Sequence, residues 1–309
     1  MSGVEVRRAS LAHRTEFLGF RLLRRVASAL PERLAVQVGT ALGWLAGSVL
    51  RIRRDEVDQH IAWAFPQWTS ARRARVARES YRHLGREAMV LFRYGGWSRD
   101  DLVRRVDVRG LDALLASMDS ETGALALSGH LGNWEIGGAA LAARGLGVDA
   151  IVKGMANRAF EHELFATRER LGVSVVEMAD APREVLRSLR GGRVVAIAGD
   201  QNAHRNGVFV PFFGRPAATA RGPAMFAIRT GAPAFVCFAI REPGRSQRYT
   251  LTFERLPYEV TGDLERDVAA FTAAYIAKVE AAVREHPEQY FWHHKRWKTR
   301  PPQEPPSRG

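Results

Sequence analysis

From residue 123 onward the sequence alternates short apolar runs with stretches of helical periodicity, and this alternation limits the fold more than any other feature. Each apolar run has the length of a β-strand, and the runs occupy residues 124–127, 148–152, 173–178, 194–198, 234–240 and 249–255. Helical patterns separate most of them, and a long helix is expected at about 264–285. Strands that alternate with helices favour parallel pairing. The sequence therefore predicts an α/β fold with a central, mostly parallel sheet flanked by helices.

The amino-terminal part of the chain has a different pattern. Residues 11–30 interleave leucines and Val26 with arginines, as in a basic amphipathic helix, and Pro31 ends the pattern. Such helices often lie in anionic membrane interfaces. A helix that packs on its own core with solvated arginines explains residues 11–30 equally well.

Residues 34–50 contain no charged side chain, and Arg51, Arg53 and Arg54 follow directly. A helix rises about 1.5 Å per residue, so this stretch falls slightly short of a hydrocarbon core of roughly 30 Å. Glycine recurs at every fourth position, which makes a smooth stripe for close approach of another helix: Gly39, Gly43 and Gly47. The segment is thus either a partly inserted hairpin with residues 11–30 or a helix buried in a soluble core.

These patterns divide the chain into three regions. Residues 1–54 are predicted to form a helical, membrane-associating region, and residues 55–298 the α/β domain. The proline-rich tail, residues 299–309, is expected to be disordered. Arginines interrupt the first twenty residues, so a cleaved secretory signal is not expected.

Charge and cysteine content narrow the classes of partner and site. The 46 lysine and arginine residues exceed the 33 acidic residues and give a formal net charge of +13, nearly all of it from arginine. This balance favours acidic partners such as anionic lipids, phosphorylated substrates, nucleic acid or an acidic carrier protein. Cys237 is the only cysteine, which excludes an intrachain disulfide and a cysteine-based zinc cluster. It lies in an apolar run and is predicted to be a buried structural residue.

The segment from Leu127 to Glu135 is the strongest candidate for chemistry. It lies where a predicted strand ends and a helix begins, and open α/β folds bind ligands at the carboxyl ends of their strands. An imidazole titrates near neutral pH, as a general base requires, which makes His130 the candidate base. Since His130 precedes the helix, the chain could fold back so that the Glu135 carboxylate orients the ring.

Three other classes of protein fit less well. A serine hydrolase based on Ser128 needs Gly-x-Ser-x-Gly, and the chain reads Ala126-Leu-Ser-Gly-His130. A zinc hydrolase based on His162-Glu163 needs a histidine at 166, where Ala166 stands. The third class is a nucleic-acid-binding protein, which the basic and aromatic segment from residue 292 to 298 would suggest. We predict neither a metal nor a nucleic-acid partner.

His130-Leu-Gly-Asn-Trp-Glu135 resembles the histidine, four residues, acidic residue motif of the lipid A biosynthesis acyltransferases, the late lauroyl/myristoyl transferases of the glycerolipid acyltransferase superfamily. Further segments resemble the same family in the same order: Ala64-Phe-Pro66 before a charged helix, 207–214 with Ala217-Ala-Thr219, and 288–301. The resemblance extends from about residue 15 to 301. It also explains the 292–298 segment without invoking nucleic acid.

The resemblance implies a reaction and a set of site residues. His130 would deprotonate an acceptor hydroxyl with Glu135 as its partner, and the hydroxyl would attack a thioester, usually of acyl-carrier protein, with no cofactor. Gly132 and Asn133 are predicted to orient substrate, and Asp200 is a site residue of unassigned role. Arg168 or Arg170 is predicted to hold a phosphate, although a solvated helix face explains both arginines equally well.

The resemblance also implies an acceptor and a location. The acceptor is predicted to be a lipid A precursor at the cytoplasmic face of the inner membrane. Another membrane glycolipid or a lysophospholipid is an alternative, and a non-catalytic basic membrane-binding protein is a further one. Arg296, Lys298 and Arg300 are expected to form a basic cluster that binds an acidic partner.

Overall fold

The computed structural model describes residues 11–155, 157–244 and 246–302. Within them a seven-stranded sheet has the order β1-β9-β8-β2-β5-β3-β4. Its strands are β1 (Val106–Arg109), β2 (Ala124–Ser128), β3 (Val148–Val152), β4 (Val173–Glu177), β5 (Val194–Ala198), β8 (Ala234–Arg241) and β9 (Tyr249–Arg255). All neighbours are parallel except β8 and β9. The predicted α/β fold with a mostly parallel sheet is confirmed.

The helices flank this sheet on both faces. They are α1 (Leu11–Ala29), α2 (Glu32–Trp44), α3 (Arg54–Ala64), α4 (Ser70–Arg93), α5 (Arg99–Arg105), α6 (Leu111–Leu115), α7 (Trp134–Ala142), α8 (Arg158–Arg170), α9 (Ala181–Arg190), α10 (Gly222–Thr230) and α11 (Leu264–Glu285). One core cluster joins α3, α4, α9, α10 and α11 to the sheet, and the other joins α5, α6 and α7 to it. Every side chain of β2 is buried, because helices cover both faces of this central strand.

A separate antiparallel hairpin, β6 (Val208–Phe212) and β7 (Arg215–Thr219), contacts α11. Neither the hairpin nor β1 was among the predicted strands. Two helices begin at capping side chains, since Thr69 accepts a hydrogen bond from the amide of Arg72 and Asn157 from that of Phe160. Of the predicted tail, residues 299–309, the last seven lie outside the described residues, as do residues 1–10 of the amino-terminal region.

The glycine stripe of α2 packs against α4 within the protein. A Cβ atom placed on Gly43 would lie 2.1 Å from the carbonyl oxygen of Tyr81, and one on Gly85 would lie 2.0 Å from that of Gly39. The two backbones are therefore in direct contact, and a methyl group would separate them. The predicted close helix approach is confirmed, and its partner is α4.

The opposite side of the same region is exposed. A π-helical turn, Leu45–Val49, continues α2, and large apolar side chains project outward there: Leu42, Trp44, Leu45, Val49, Leu50 and Ile52. No single helix among the described residues is long and apolar enough to cross a membrane. Glu32–Val49 and Arg54–Ala64 together meet the requirements of length and composition, but the chain bends by 91° between them.

The contact between α2 and α4 predicts a sharp difference between two glycines. Gly43→Ala should lower the free energy of unfolding by about 1–3 kcal/mol, because the methyl group meets backbone that cannot move aside. Gly19→Ala is the matched control, since a Cβ at Gly19 on α1 has no atom within 4 Å. That change should stabilise the protein by up to about 1 kcal/mol through helix propensity.

Denaturant unfolding of both variants in the same detergent, compared with the unsubstituted protein, measures this difference. Equal stabilities of Gly43→Ala and Gly19→Ala would contradict the packing of α2 on α4.

Candidate active site

Two loops meet at one edge of the sheet because their strands are neighbours. β2 and β5 pair in parallel, with Ser128 opposite Ala198, so both strands end at the same level. The loop after β2 carries His130, and the loop after β5 carries Asp200. Tyr275 of α11 joins the two loops, since its hydroxyl accepts a hydrogen bond from the amide of Gly199 and donates to the carbonyl of Ser128. The sheet thus brings together two residues that are seventy positions apart.

His130 and Asp200 form a closely hydrogen-bonded pair. The ring nitrogen Nδ1 of His130 lies 2.6 Å from Oδ1 of Asp200, and the backbone amide of His130 donates to Oδ2 at 3.0 Å. The Asp200 side chain is 1% exposed, whereas that of His130 is 18% exposed. The carboxylate therefore fixes both the ring and the backbone of the residue that reaches the surface.

The charge of Asp200 determines where the proton on the His130 ring lies. Burial alone would raise the pKa of the Asp200 carboxyl. Attraction to His130, its hydrogen bonds and the charge of Arg296 outweigh burial and hold that pKa at about 2. An ionised carboxylate only accepts hydrogen bonds, so Nδ1 of a neutral His130 ring carries the hydrogen. Nε2 is then the unprotonated nitrogen.

The predicted partnership between His130 and Glu135 is wrong in this structure. Glu135 instead accepts two hydrogen bonds from Arg168, at 2.8 Å from Nε and 2.6 Å from a terminal nitrogen. The reason is local: α7 begins directly after Asn133, so Glu135 belongs to its first turn and faces α8. The predicted fold-back of the chain does not occur, and Asp200 takes the place assigned to Glu135.

This ion pair argues against both interpretations of Arg168. Its side chain is 13% exposed and that of Glu135 is 16% exposed, so Arg168 does not lie on a solvated helix face. Its guanidinium is already bound to a carboxylate, and the predicted phosphate contact is not supported for it. Arg170 is exposed, and its guanidinium lies 3.5 Å from the Thr167 hydroxyl.

Gly132 and Asn133 hold the loop in place. Gly132 has a φ of +65°, and its amide donates to the carbonyl of Gln289. The Asn133 oxygen caps α7 by accepting from the amide of Ile136, and its nitrogen donates to Glu87 at 2.6 Å. These groups form hydrogen bonds within the protein, so both residues have a structural role. Their predicted contact with substrate stays a prediction.

The buried acid that accepts the hydrogen bond from Asn133 was not predicted from the sequence. Glu87 of α4 also accepts from Arg241 at 2.9 Å and from the Tyr249 hydroxyl at 2.7 Å. Burial would raise the pKa of Glu87, but His83, Arg241 and these hydrogen bonds lower it overall. Glu87 lies in a helix with many charged residues, so only the three-dimensional contacts distinguish it from its exposed neighbours.

Two aromatic rings flank the exposed edge of His130. The Trp134 ring packs edge-on against the imidazole with 4.7 Å between the ring centroids, and the Phe291 ring lies at 6.5 Å. Trp134 is 37% exposed. The partly exposed His130 ring therefore has apolar aromatic rings as neighbours.

Residues 289–299, which we call the C-terminal strap, cross both loops of the site. The amide of Phe291 donates to the carbonyl of His130, and Asn202 donates to the Thr299 hydroxyl at 3.0 Å. The expectation of an exposed basic cluster is wrong for Arg296, which is 1% exposed and donates to the Ala218 carbonyl and the Thr219 hydroxyl. The strap folds inward around its aromatic rings, so it carries this guanidinium into the core.

The side chains that other mechanisms would use as nucleophiles are both buried. The Ser128 hydroxyl is buried and donates to the carbonyl of Gly129 at 3.2 Å. Cys237 is buried as predicted, and burial raises the pKa of its thiol to about 12. Among residues 11–155, 157–244 and 246–302, no three histidine, cysteine or acidic side chains are grouped so that they could hold a metal.

This chain resembles known proteins over most of its length. The family of bacterial lipid A biosynthesis acyltransferases matches residues 5–299. The chain is 28% identical to a lipid A biosynthesis lauroyltransferase and 27% identical to a palmitoleoyltransferase, both of Escherichia coli K12. The alignments cover 88% of this chain and 88% and 87% of those proteins. A phosphatidylinositol mannoside acyltransferase of Mycobacterium tuberculosis is 30% identical over 70% of this chain and 66% of its own length.

The observed pairing predicts which acid controls the His130 ring. Asp200→Asn should change the nitrogen chemical shifts of the His130 side chain, because an amide cannot replace the ionised acceptor at Nδ1. Glu135→Gln should leave them unchanged. Nitrogen-15 NMR of histidine-labelled protein measures both, and the spectrum of His130→Gln assigns the signal among the nine histidines. A shift in Glu135→Gln with none in Asp200→Asn would contradict the observed geometry.

Proposed function

The chain belongs to the family of bacterial lipid A biosynthesis acyltransferases, and we propose that it transfers a fatty acyl chain from an acyl thioester to a hydroxyl or hydroxyacyl group of a lipid A precursor. Acyl-carrier protein is the proposed donor, as an acidic partner of a chain whose net charge is +13. The observation that carries the proposal is the His130–Asp200 pair at the carboxyl edge of the sheet, with the His130 ring partly exposed beside two aromatic rings.

In the proposed reaction His130 acts as the general base. Nε2 removes the proton of the acceptor hydroxyl while the oxygen attacks the carbonyl carbon of the thioester. Asp200 stabilises the imidazolium that forms, because its buried charge lies 2.6 Å from Nδ1. The carbon–sulfur bond then breaks, the thiolate leaves with its electron pair, and the imidazolium returns the proton to sulfur. The base is regenerated without a cofactor.

The transfer is proposed to be direct, without an acyl-enzyme. Ser128 donates its hydroxyl hydrogen to a backbone carbonyl, and Cys237 is buried with a raised thiol pKa, so neither is an activated nucleophile. The Glu135–Arg168 pair supports catalysis indirectly in this scheme, by holding α7 to α8 beside the His130 loop.

A second acceptor class is favoured by a specific observation. The mycobacterial relative carries the name of a phosphatidylinositol mannoside acyltransferase, and it is as similar to this chain as the lipid A enzymes are. The His130–Asp200 pair serves any acceptor hydroxyl equally well. Another membrane glycolipid or a lysophospholipid is therefore the alternative substrate.

Membrane attachment is proposed from the exposed apolar side chains of the amino-terminal helices. Leu18, Leu22 and Val26 are each at least half exposed and lie four residues apart on α1, so they form one stripe. Leu50 and Ile52, at 61% and 52% exposure, follow the end of α2. An apolar stripe among arginines suits a helix lying in the plane of an anionic interface. We place the protein at the cytoplasmic face of the inner membrane, where carrier-bound acyl chains are available.

The test of the proposed reaction is mass spectrometry of membrane glycolipids from cells with and without the protein. One acyl chain should be missing from a glycolipid when the protein is absent, and His130→Ala should fail to restore it. Purified His130→Ala should lose acyl transfer by about 10²–10⁴-fold, the usual contribution of a general base. Ser128→Ala is the matched control and should remain active.

Two results would contradict this mechanism. The first is near-normal transfer by His130→Ala, which would end the assignment of the base. The second is a covalent acyl group trapped on Ser128 in a single turnover, which would make the reaction stepwise. An unchanged glycolipid profile in cells that lack the protein would count against the acceptor class itself.

Membrane association should resist high salt and yield to detergent. Salt screens the arginines but leaves apolar contacts intact, so washed membranes should retain the protein. Replacing Leu18, Leu22 and Leu50 together with glutamate should release it into the soluble fraction. Val260→Glu is the control, because Val260 is 55% exposed but lies outside the amino-terminal helices. Complete release by salt alone would show that the apolar stripe does not contact lipid.

A further inference from the structure

Arg296 is a buried cation without a direct ionic partner among the described residues. It is 1% exposed, and its two terminal nitrogens donate at 2.7 Å to the Ala218 carbonyl and at 2.6 Å to the Thr219 hydroxyl. Both acceptors are neutral. Its Nε atom is buried and has no hydrogen-bond partner. A buried guanidinium is costly unless an opposite charge lies near enough to balance it.

The contacts of Arg296 connect it to the loop that carries Asp200. The carbonyl of Ala218, which accepts from Arg296, also accepts at 3.1 Å from the amide of Ala203, three residues after Asp200. Asn202 of the same loop donates to Thr299 of the C-terminal strap. Arg296 therefore holds β7, the Asp200 loop and the strap together from the buried side of the site.

The buried charges of the site balance if Arg296 and Asp200 are counted together. Asp200 is also 1% exposed, and His130 donates to it from its backbone amide and from the ring nitrogen Nδ1, neither of which carries a permanent charge. The negative charge of Asp200 thus lacks a fixed cation in its direct contacts, and Arg296 lacks a fixed anion. The two residues are linked through the Ala218 carbonyl, which accepts from Arg296 and from the amide of Ala203 in the Asp200 loop, and the charge of Arg296 helps to lower the pKa of Asp200.

We propose that Arg296 is a positioning residue of the acyl transfer reaction. Arg296 supplies the buried positive charge that offsets Asp200, and this charge limits how readily His130 becomes protonated. Because Arg296 is buried, it cannot contact an acidic partner directly. A buried cation disfavours a second positive charge nearby, so Arg296 opposes formation of the imidazolium. This inference rests on the proposed role of His130 as the base.

Other titratable groups also face this site. Tyr275 of α11 contacts the loops after β2 and β5, and burial foremost raises the pKa of its phenol well above the usual value. Tyr290 of the strap behaves in the same way. Burial lowers the pKa of His294 to about 4. None of these three changes charge between pH 5 and 8, so the acid limb of the rate in that range reports on His130.

The test is the pH dependence of kcat/KM in the whole protein, with His130→Ala as the blank. Arg296→Gln removes the charge but keeps an amide that can donate to Ala218. It should lower kcat/KM by up to about tenfold at pH 6 and move the acid limb upward by on the order of one pH unit. The sign follows because loss of a cation favours the imidazolium. Asp200 stays ionised over this range, since its pKa is about 2.

Two variants separate charge from packing. Arg296→Lys keeps the charge, and Thr219→Val removes one acceptor of the guanidinium while keeping Arg296 itself. Both should leave the acid limb at its original pH, even where they lower kcat. A loss of activity in Arg296→Gln with an unmoved limb, in protein that unfolds at the usual denaturant concentration, would reduce Arg296 to a packing residue and overturn the proposal.

Two further outcomes remain decisive. If Arg296→Gln does not fold, a limb displaced by a full pH unit in Arg296→Lys or Thr219→Val contradicts the proposal, and an unmoved limb in both supports it. If His130→Ala is active, the base assignment fails first, and with it the premise of this inference. An unmoved limb beside an inactive His130→Ala leaves the base in place and removes only the role of Arg296.

Discussion

The charge of Asp200, held out of water at the end of β5, is the constraint on which the organisation of the site depends. An ion in that position needs hydrogen-bond donors in fixed places, and the protein provides them from the ring and amide of His130. Those donors remain in place only while β2 and β5 stay in register and Tyr275 joins the loops that follow them. The sheet, α11 and the C-terminal strap can all be described as the supports of one buried carboxylate.

A second constraint acts in the amino-terminal region, where one side of α2 contacts the backbone of α4 and the other side is exposed. Gly39 and Gly43 allow α2 to lie directly on α4, which also carries Glu87 below the His130 loop. One helix therefore holds both the amino-terminal region and the support of α7. The apolar residues that α2 does not bury lie on the outer face of the protein. Anything that binds to this face therefore has a fixed orientation relative to the active site.

The fold was predictable from the sequence because its central strands are buried on both faces and read as continuous apolar runs. β1 escaped prediction because Asp107 and Arg109 interrupt its short pattern, and β6–β7 because it carries prolines and lies outside the main sheet. Amino-acid composition does not indicate that β8 and β9 pair in antiparallel fashion. His130 could be found from its place after a strand, and Asp200 from its place after another.

The errors at the site share a physical cause. Glu135 was paired with His130 because it is near in sequence, whereas the actual partner comes from a strand that pairs across seventy residues. The helix cap at Asn133 then turns Glu135 away. Arg296 was assigned to the surface because an arginine in an irregular segment has no periodicity to show whether it faces inward. Register and loop path decide such contacts, and neither is visible in a single sequence.

The C-terminal strap has a consequence for the synthesis of the protein. The loop with His130 is made before the middle of the chain, but the amide that holds its carbonyl belongs to Phe291, about 160 residues later. Domains form as the chain leaves the ribosome, and contacts so distant in sequence are the last to be made. A nascent or prematurely ended chain can therefore build much of the sheet while its His130 loop lacks the final hydrogen bonds. The His130 loop therefore gains its last backbone hydrogen bonds only after the strap has been translated.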